Sequence, residues 1–246
     1  MLQNDYRFMS LREMRLIAGG ANRRAVAHHR RGPRSQARKG QSGKIRCEEE
    51  KSCHTAEKEK PQSEQEEMKM NDTERFEQIF LSQVTRPGAD KLLEWLKSTD
   101  FFTAPASTRF HGAYPGGLVK HSLNVYYALL GNFNLRGLYS PQTQAIVALL
   151  HDVCKANYYA GEYPDYTVKD QVPMGHGEKS VYLVMKRMEL TDDEALAIRW
   201  HMGAYDDAFR GGSRALNAAM ERTPLVLELH YADMIATQRE KNEEVL

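Results

Sequence analysis

The sequence predicts an all-α fold, and three observations carry that expectation. From residue 71 onward apolar residues recur at helical spacing almost throughout. Cap and first-turn signals stand directly before those runs, at Asn71, at Ser140-Pro141 and at Thr191-Asp192-Asp193-Glu194. Only residues 156–174 break the pattern: Tyr158, Tyr159, Tyr163, Tyr166 and Val168 interleave with Gly161, Pro164 and Pro173, which reads as a loop or small hairpin inserted in a helical bundle.

The chain has 246 residues, which suits one domain with a tail. Residues 1–46 carry twelve basic side chains against Asp5 and Glu13, whereas 47–70 carry four lysines against eight glutamates. Charge-rich and short of aromatics, residues 1–70 bury too little apolar surface to offset the entropy of ordering, and read as a disordered, basic-then-acidic tail. A basic arm for nucleic acid and a targeting peptide are two readings of it, although the lack of an apolar stretch argues against a secretory signal. The favoured reading is a solvated extension, with Met70 as an alternative start. Cys47, Cys53 and His54 lie in this tail without the spacing of a zinc finger.

The ordered part, 71–246, is a single domain with a net charge of −5. Phe76, Ile79, Phe80 and Val84 follow the caps Asn71 and Thr73, and Leu92, Leu93 and Leu96 form a second helix between Gly88 and Ser98. The turn Pro115-Gly116-Gly117 opens a third helix through Leu118, Leu123, Val125, Tyr126, Leu129 and Leu130. Ser140-Pro141 opens a fourth through Ile146, Val147, Leu149, Leu150 and Val153. Helices resume over 177–188 and after the capping box at Thr191, and Thr223-Pro224 caps the last, through Leu225, Leu227, Leu229, Ala232 and Ile235. No run of about 18 apolar residues is present to span a membrane. Three cysteines are too few for a disulfide framework, which fits a reducing, cytoplasmic setting.

The distribution of histidine and aspartate carries the chemistry. His121 lies in the third helix and His151-Asp152 near the end of the fourth; His176 opens the next helix, His201 ends the one after, and Asp233 lies in the last. Ligands projecting inward from successive helices are how bundles build metal sites. A lone histidine on a helix is far more often a core or surface residue than a ligand, so the spacing alone leaves both readings open.

The strings FHGAYPGGLVKHS (110–122), LLHDVCK (149–155), GHGEKS (175–180), IRWHMG (198–203) and LHYAD (229–233) resemble, in order, the motifs of the HD-domain superfamily of metal-dependent phosphohydrolases. They cover roughly residues 110–240, and the GGLxxH opening is similar to the HD domain of certain bacterial 3′–5′ exoribonucleases, whose OB-type domain this chain has no room for. The resemblance implies an HD-type helical bundle in which His121, His151, Asp152 and Asp233 hold one metal. It implies that His176 and His201 add a second, with Asp152 bridging. Imidazole and carboxylate together accept Mn, Fe, Co, Ni or Zn as one or two divalent ions, and a set without cysteine is unlike a closed structural zinc site. Lys155 stands in the HDxxK position, four residues after His151 and so on the same helix face; it contacts phosphate or orders Asp152 in that reading, and is an exposed helix-end lysine in the other.

His111, Lys179 and Arg199 are candidates for positive charge at the mouth of the site, although Lys179 and Arg199 also suit solvated helix positions. His230 is a candidate donor behind the ligands. Tyr158, Tyr159 and Tyr166 suit base stacking or, more commonly, packing. The expected activity is hydrolysis of a phosphomonoester or phosphodiester of a nucleotide or short oligonucleotide, with Asp152 and Lys155 as the catalytic pair. An acidic domain favours a small phosphorylated substrate over a long nucleic acid. Two other classes stay open: an HD-fold diiron oxygenase and a non-catalytic nucleotide-binding module. The sequence leaves the oligomeric state undefined.

Overall fold

The computed structural model describes residues 70–131 and 137–243. The tail expected to be disordered, with Cys47, Cys53 and His54, lies outside the described residues. Within them the domain is mostly helical, with nine α-helices and one two-stranded ribbon. These are α1 (Asp72–Gln83), α2 (Ala89–Lys97), α3 (Gly117–Leu130), α4 (Pro141–Leu150), β1 (Tyr159–Ala160), β2 (Thr167–Val168), α5 (His176–Met185), α6 (Asp192–Arg199), α7 (Asp207–Arg210), α8 (Ala215–Arg222) and α9 (Leu225–Glu243).

The helix starts follow the local chemistry. Asn71 caps α1 and Glu74 returns the bond to the Asn71 backbone, a reciprocal pair that satisfies two amides otherwise without partners. Ser140 accepts from the Thr143 amide while Pro141 takes the first helical position. Thr191 and Glu194 cap α6 in the same reciprocal way, and Glu194 also receives a forked ion pair from Arg86 at 2.5 and 3.0 Å. The cap expected at Thr223 is not used for α9. That helix begins at Leu225, and the Thr223 hydroxyl lies instead 2.6 Å from Tyr139 Oη, joining the end of α8 to the approach to α4.

Helix α4 forms the centre. Residues 145–150 are all inaccessible to solvent, so α4 beyond its first turn has no polar face, as a segment covered on every side should not. It packs against α1, α3 and α6, and α9 closes the bundle against α3 and α6. Phe76, Leu92, Leu96, Phe101, Leu118, Leu129, Ile146 and Leu149 fill the core between them. The segment after α4 is the expected hairpin, with Tyr159 opposite Val168 and Ala160 opposite Thr167. Gly117 starts α3 where no other residue fits, because a Cβ there would lie 2.0 Å from the Gly112 carbonyl oxygen. That approach brings the loop carrying His111 against α3, where His121 sits.

Candidate metal centre

The chain reaches the centre from five directions, and each arrival has a local cause. His121 projects from the middle of α3 and Asp233 from α9, its packing partner. His151 and Asp152 follow the last residue of α4, where the buried helix stops. His176 is the first residue of α5. His201 does not end α6, as expected, but lies two residues past it, beyond the Trp200 cap. The turn after it needs Gly203 at φ +54°, since a Cβ there would meet the His230 ring at 2.6 Å. His230 Nδ1 in turn donates to the His201 carbonyl at 2.6 Å.

The structure brings the six residues together. Three imidazole rings follow one another without a gap, with ring centres 5.3 Å apart for His121 and His151 and 5.0 Å for His151 and His201. Asp152 is the hub. Its Oδ2 lies 3.8 Å from His121 Nε2, 3.5 Å from His151 Nε2 and 2.7 Å from Lys155 Nζ. Its Oδ1 lies 2.8 Å from His176 Nε2 and 3.5 Å from His201 Nε2. Asp233 Oδ1 approaches His121 Nε2 to 3.1 Å.

The ring orientations are fixed from behind. His151 Nδ1 donates to the Ala148 carbonyl at 2.8 Å and His201 Nδ1 to the Ile198 carbonyl at 2.7 Å. A ring that donates from Nδ1 in its neutral form carries a bare lone pair on Nε2. Those two Nε2 atoms are buried and make no hydrogen bond. They face carboxylate oxygens, which are also acceptors. Acceptors facing acceptors in a desolvated site cost free energy unless a cation lies between them, so the donor set fits a divalent metal ion.

The charges agree with that fit. Burial would raise the Asp152 carboxyl, but Lys155 and His151 hold it well below the usual carboxylate range. Asp233 is likewise held ionised against burial by His121. Burial would depress the His121 imidazole, yet Asp233 and Glu240 keep it protonated up to about 10. His176 and Asp233 alone among the six have appreciable exposure, 29% and 17% of their side chains.

The other expected residues distribute differently. The helix does not continue through Lys155, because residues 153–155 form a short 3-10 turn closed by the Lys155 amide on the Asp152 carbonyl at 3.0 Å. Lys155 therefore shares no α-helical face with His151, and it is buried on Asp152 rather than exposed at a helix end. His111 packs its ring 4.8 Å from that of His121. Lys179 is buried rather than solvated, paired to Asp170 at 2.5 Å and set over the Tyr158 ring. Arg199 pairs with Asp206 at 2.7 Å and with Glu178, and lies over Trp200. Tyr159 donates to the Ala106 carbonyl at 3.2 Å, which commits it to packing.

Two residues of the cluster were not singled out from the sequence. Glu240 receives His121 Nδ1 at 3.1 Å on each oxygen and the Asn124 amide at 2.7 Å. It lies seven residues after Asp233, two turns along the same face of α9, and that spacing was the available signal. Cys154, inside the His-Asp motif, lies with Asp152 and His176. A carboxylate behind a metal-binding imidazole fixes the ring and raises its basicity. Glu240→Gln is expected to weaken metal binding by about 10–100-fold while the fold is retained, read by competition titration against a chelator.

The chain was compared with protein-family models, with curated proteins and with solved structures. None matches.

Proposed function

We propose that this chain is a metal-dependent phosphoric ester hydrolase of the HD type, acting on a phosphomonoester or phosphodiester of a nucleotide or short oligonucleotide. The observation that carries the reading is the convergence of the buried Nε2 atoms of His121, His151 and His201 on Asp152 and Asp233. Their owners also occur in the order of the HD motifs quoted above.

His121, His151, Asp152 and Asp233 would hold one divalent ion, and His176 and His201 a second with Asp152 between the two. Such ions supply a water whose pKa falls from 15.7 to about 7 and neutralise the charge that gathers on phosphoryl oxygens. The protein's own groups do the rest. The Ala148 and Ile198 carbonyls and Glu240 hold the imidazoles in register. Lys155 fixes Asp152 through its Oδ2 and offsets its charge. His111 is the candidate substrate contact beside the cluster, since Lys179 and Arg199 are already engaged by carboxylates. The net charge of −5 over residues 71–246 favours a small substrate over a long nucleic acid.

The test is elemental analysis of the full chain purified without chelator, followed by a screen of phosphomonoesters and phosphodiesters with added Mn²⁺. Bound transition metal with ester turnover supports the reading. Iron with O₂ consumption and no ester cleavage would replace it with an oxygenase, and absence of metal under every supplement would leave a binding module.

A further inference from the structure

The hydrolase reading leaves Cys154 without a task. Its side chain is 2% exposed, yet it stands outside the apolar cluster that takes in its neighbours Val153 and Ala156. Its sulfur, a carboxylate oxygen of Asp152 and a ring nitrogen of His176 all lie within 4.8 Å of one another. Donors bound at about 2.0–2.3 Å on opposite sides of one ion span roughly 4.6 Å at most, so a small contraction suffices to close this group on a cation. The backbone is held for it, because the Cys154 amide donates to the buried Ser180 hydroxyl of α5 at 3.2 Å.

Asp152 divides the cluster in two. Its Oδ2 faces His121, His151 and Lys155, whereas its Oδ1 faces His176 and His201. On the Oδ1 side His201 Nε2 is fully buried, 3.5 Å from that oxygen and without a hydrogen-bond partner, a second observation that points to a cation on Oδ1. We propose that Cys154 joins Asp152 and His176 as a thiolate ligand of the Oδ1-side ion, a donor set of one sulfur, one oxygen and one nitrogen. This rests on the metal-centre reading above and adds selectivity to it. A thiolate favours Zn²⁺, Co²⁺ or Fe²⁺ over Mn²⁺ and Mg²⁺, whereas the Oδ2 side, with only imidazole and carboxylate, does not discriminate in that way. The thiol gives up its proton to solvent when the ion binds.

The experiment uses the full chain carrying Cys47→Ser and Cys53→Ser, so that Cys154 is the sole thiol. Co²⁺ is titrated in, with bound ions counted and the near-ultraviolet sulfur-to-cobalt charge-transfer absorption recorded. The expected result is that absorption, together with its loss in Cys154→Ser and a weakening of one of the two ions by more than about 100-fold, beyond what loss of a supporting group costs, while the other is unchanged. Two ions bound without the absorption, or an absorption that survives Cys154→Ser, would overturn the cysteine assignment and leave the metal centre standing. Failure to bind any Co²⁺ would overturn the metal centre itself. Should Cys154→Ser not fold, the zinc-loaded Cys47→Ser, Cys53→Ser protein answers by X-ray absorption, where a sulfur at about 2.3 Å is required.

Discussion

Asp152→Ala is expected to remove bound metal and ester turnover together, and to lower the stability of the metal-free protein as well. Both effects have one origin. Among the described residues Asp152 joins the two halves of the cluster, with one oxygen toward His121, His151 and Lys155 and the other toward His176 and His201. Losing a group that merely supports a ligand costs about 10–100-fold in affinity or activity, and losing the shared ligand costs more. The variant also strands the Lys155 ammonium, buried and held charged to a pKa above its ordinary 10.5. Breaking a buried ion pair on one side costs about 3–5 kcal/mol. For a domain of this size that is a fall in Tm of about 10 °C. Asp152→Asn separates the two effects: it lacks the anionic oxygen a metal needs but can still accept from Lys155, so its melting temperature should lie nearer to wild type. Turnover surviving in Asp152→Ala would sink the hydrolase reading.

The second large effect is expected far from the centre. Arg86, between α1 and α2, forks onto Glu194 of α6 across 108 residues of chain and donates to the Glu189 carbonyl. The Glu194 side chain is 0% exposed. Arg86→Ala leaves that carboxylate buried with only neutral partners, the Thr191 amide and the Thr143 side chain, and is expected to cost about 3–5 kcal/mol in urea unfolding. The double variant Arg86→Met, Glu194→Leu should recover much of it, because no buried charge is then left alone. Burial alone would raise Glu194, but the Arg86 bond holds it below its ordinary 4.5. The sign follows: the pair stabilises the fold above pH 4.5 and the contribution is lost as the pH falls below it. Wild type should therefore lose this increment on acidification, whereas the double variant has none to lose.

Most of the helical order was legible before any coordinates. Asn71, Ser140-Pro141 and Thr191 announce helix starts because a cap is a contact between neighbours in sequence, and the hairpin at 156–174 announces itself through glycine and proline. The failures fall where local signals and distant partners compete. Thr223 has the chemistry of a cap, but its hydroxyl is taken by Tyr139, a residue 84 positions away. Lys155 sits at a helical interval from His151, yet α4 ends at Leu150 and Lys155 closes a 3-10 turn over Asp152. Helices α7 and α8 were not expected at all, being short and lying on either side of the Gly211-Gly212-Ser213 turn.

By itself the sequence determined which side chains are available to a metal and in what order they occur. His121, His151, Asp152, His176, His201 and Asp233 are legible because each sits in a short motif of its own. The tertiary structure alone decided which atoms face one another: that Asp152 presents different oxygens to two sets of histidines, that Glu240 rather than solvent stands behind His121, that Lys179 belongs to Asp170, and that Cys154 lies beside His176. Those pairings join residues up to 119 positions apart. Local spacing fixes the face of a helix, but only packing fixes what that face meets, and in a buried site it is the opposing atom that sets the charge and the direction of every lone pair.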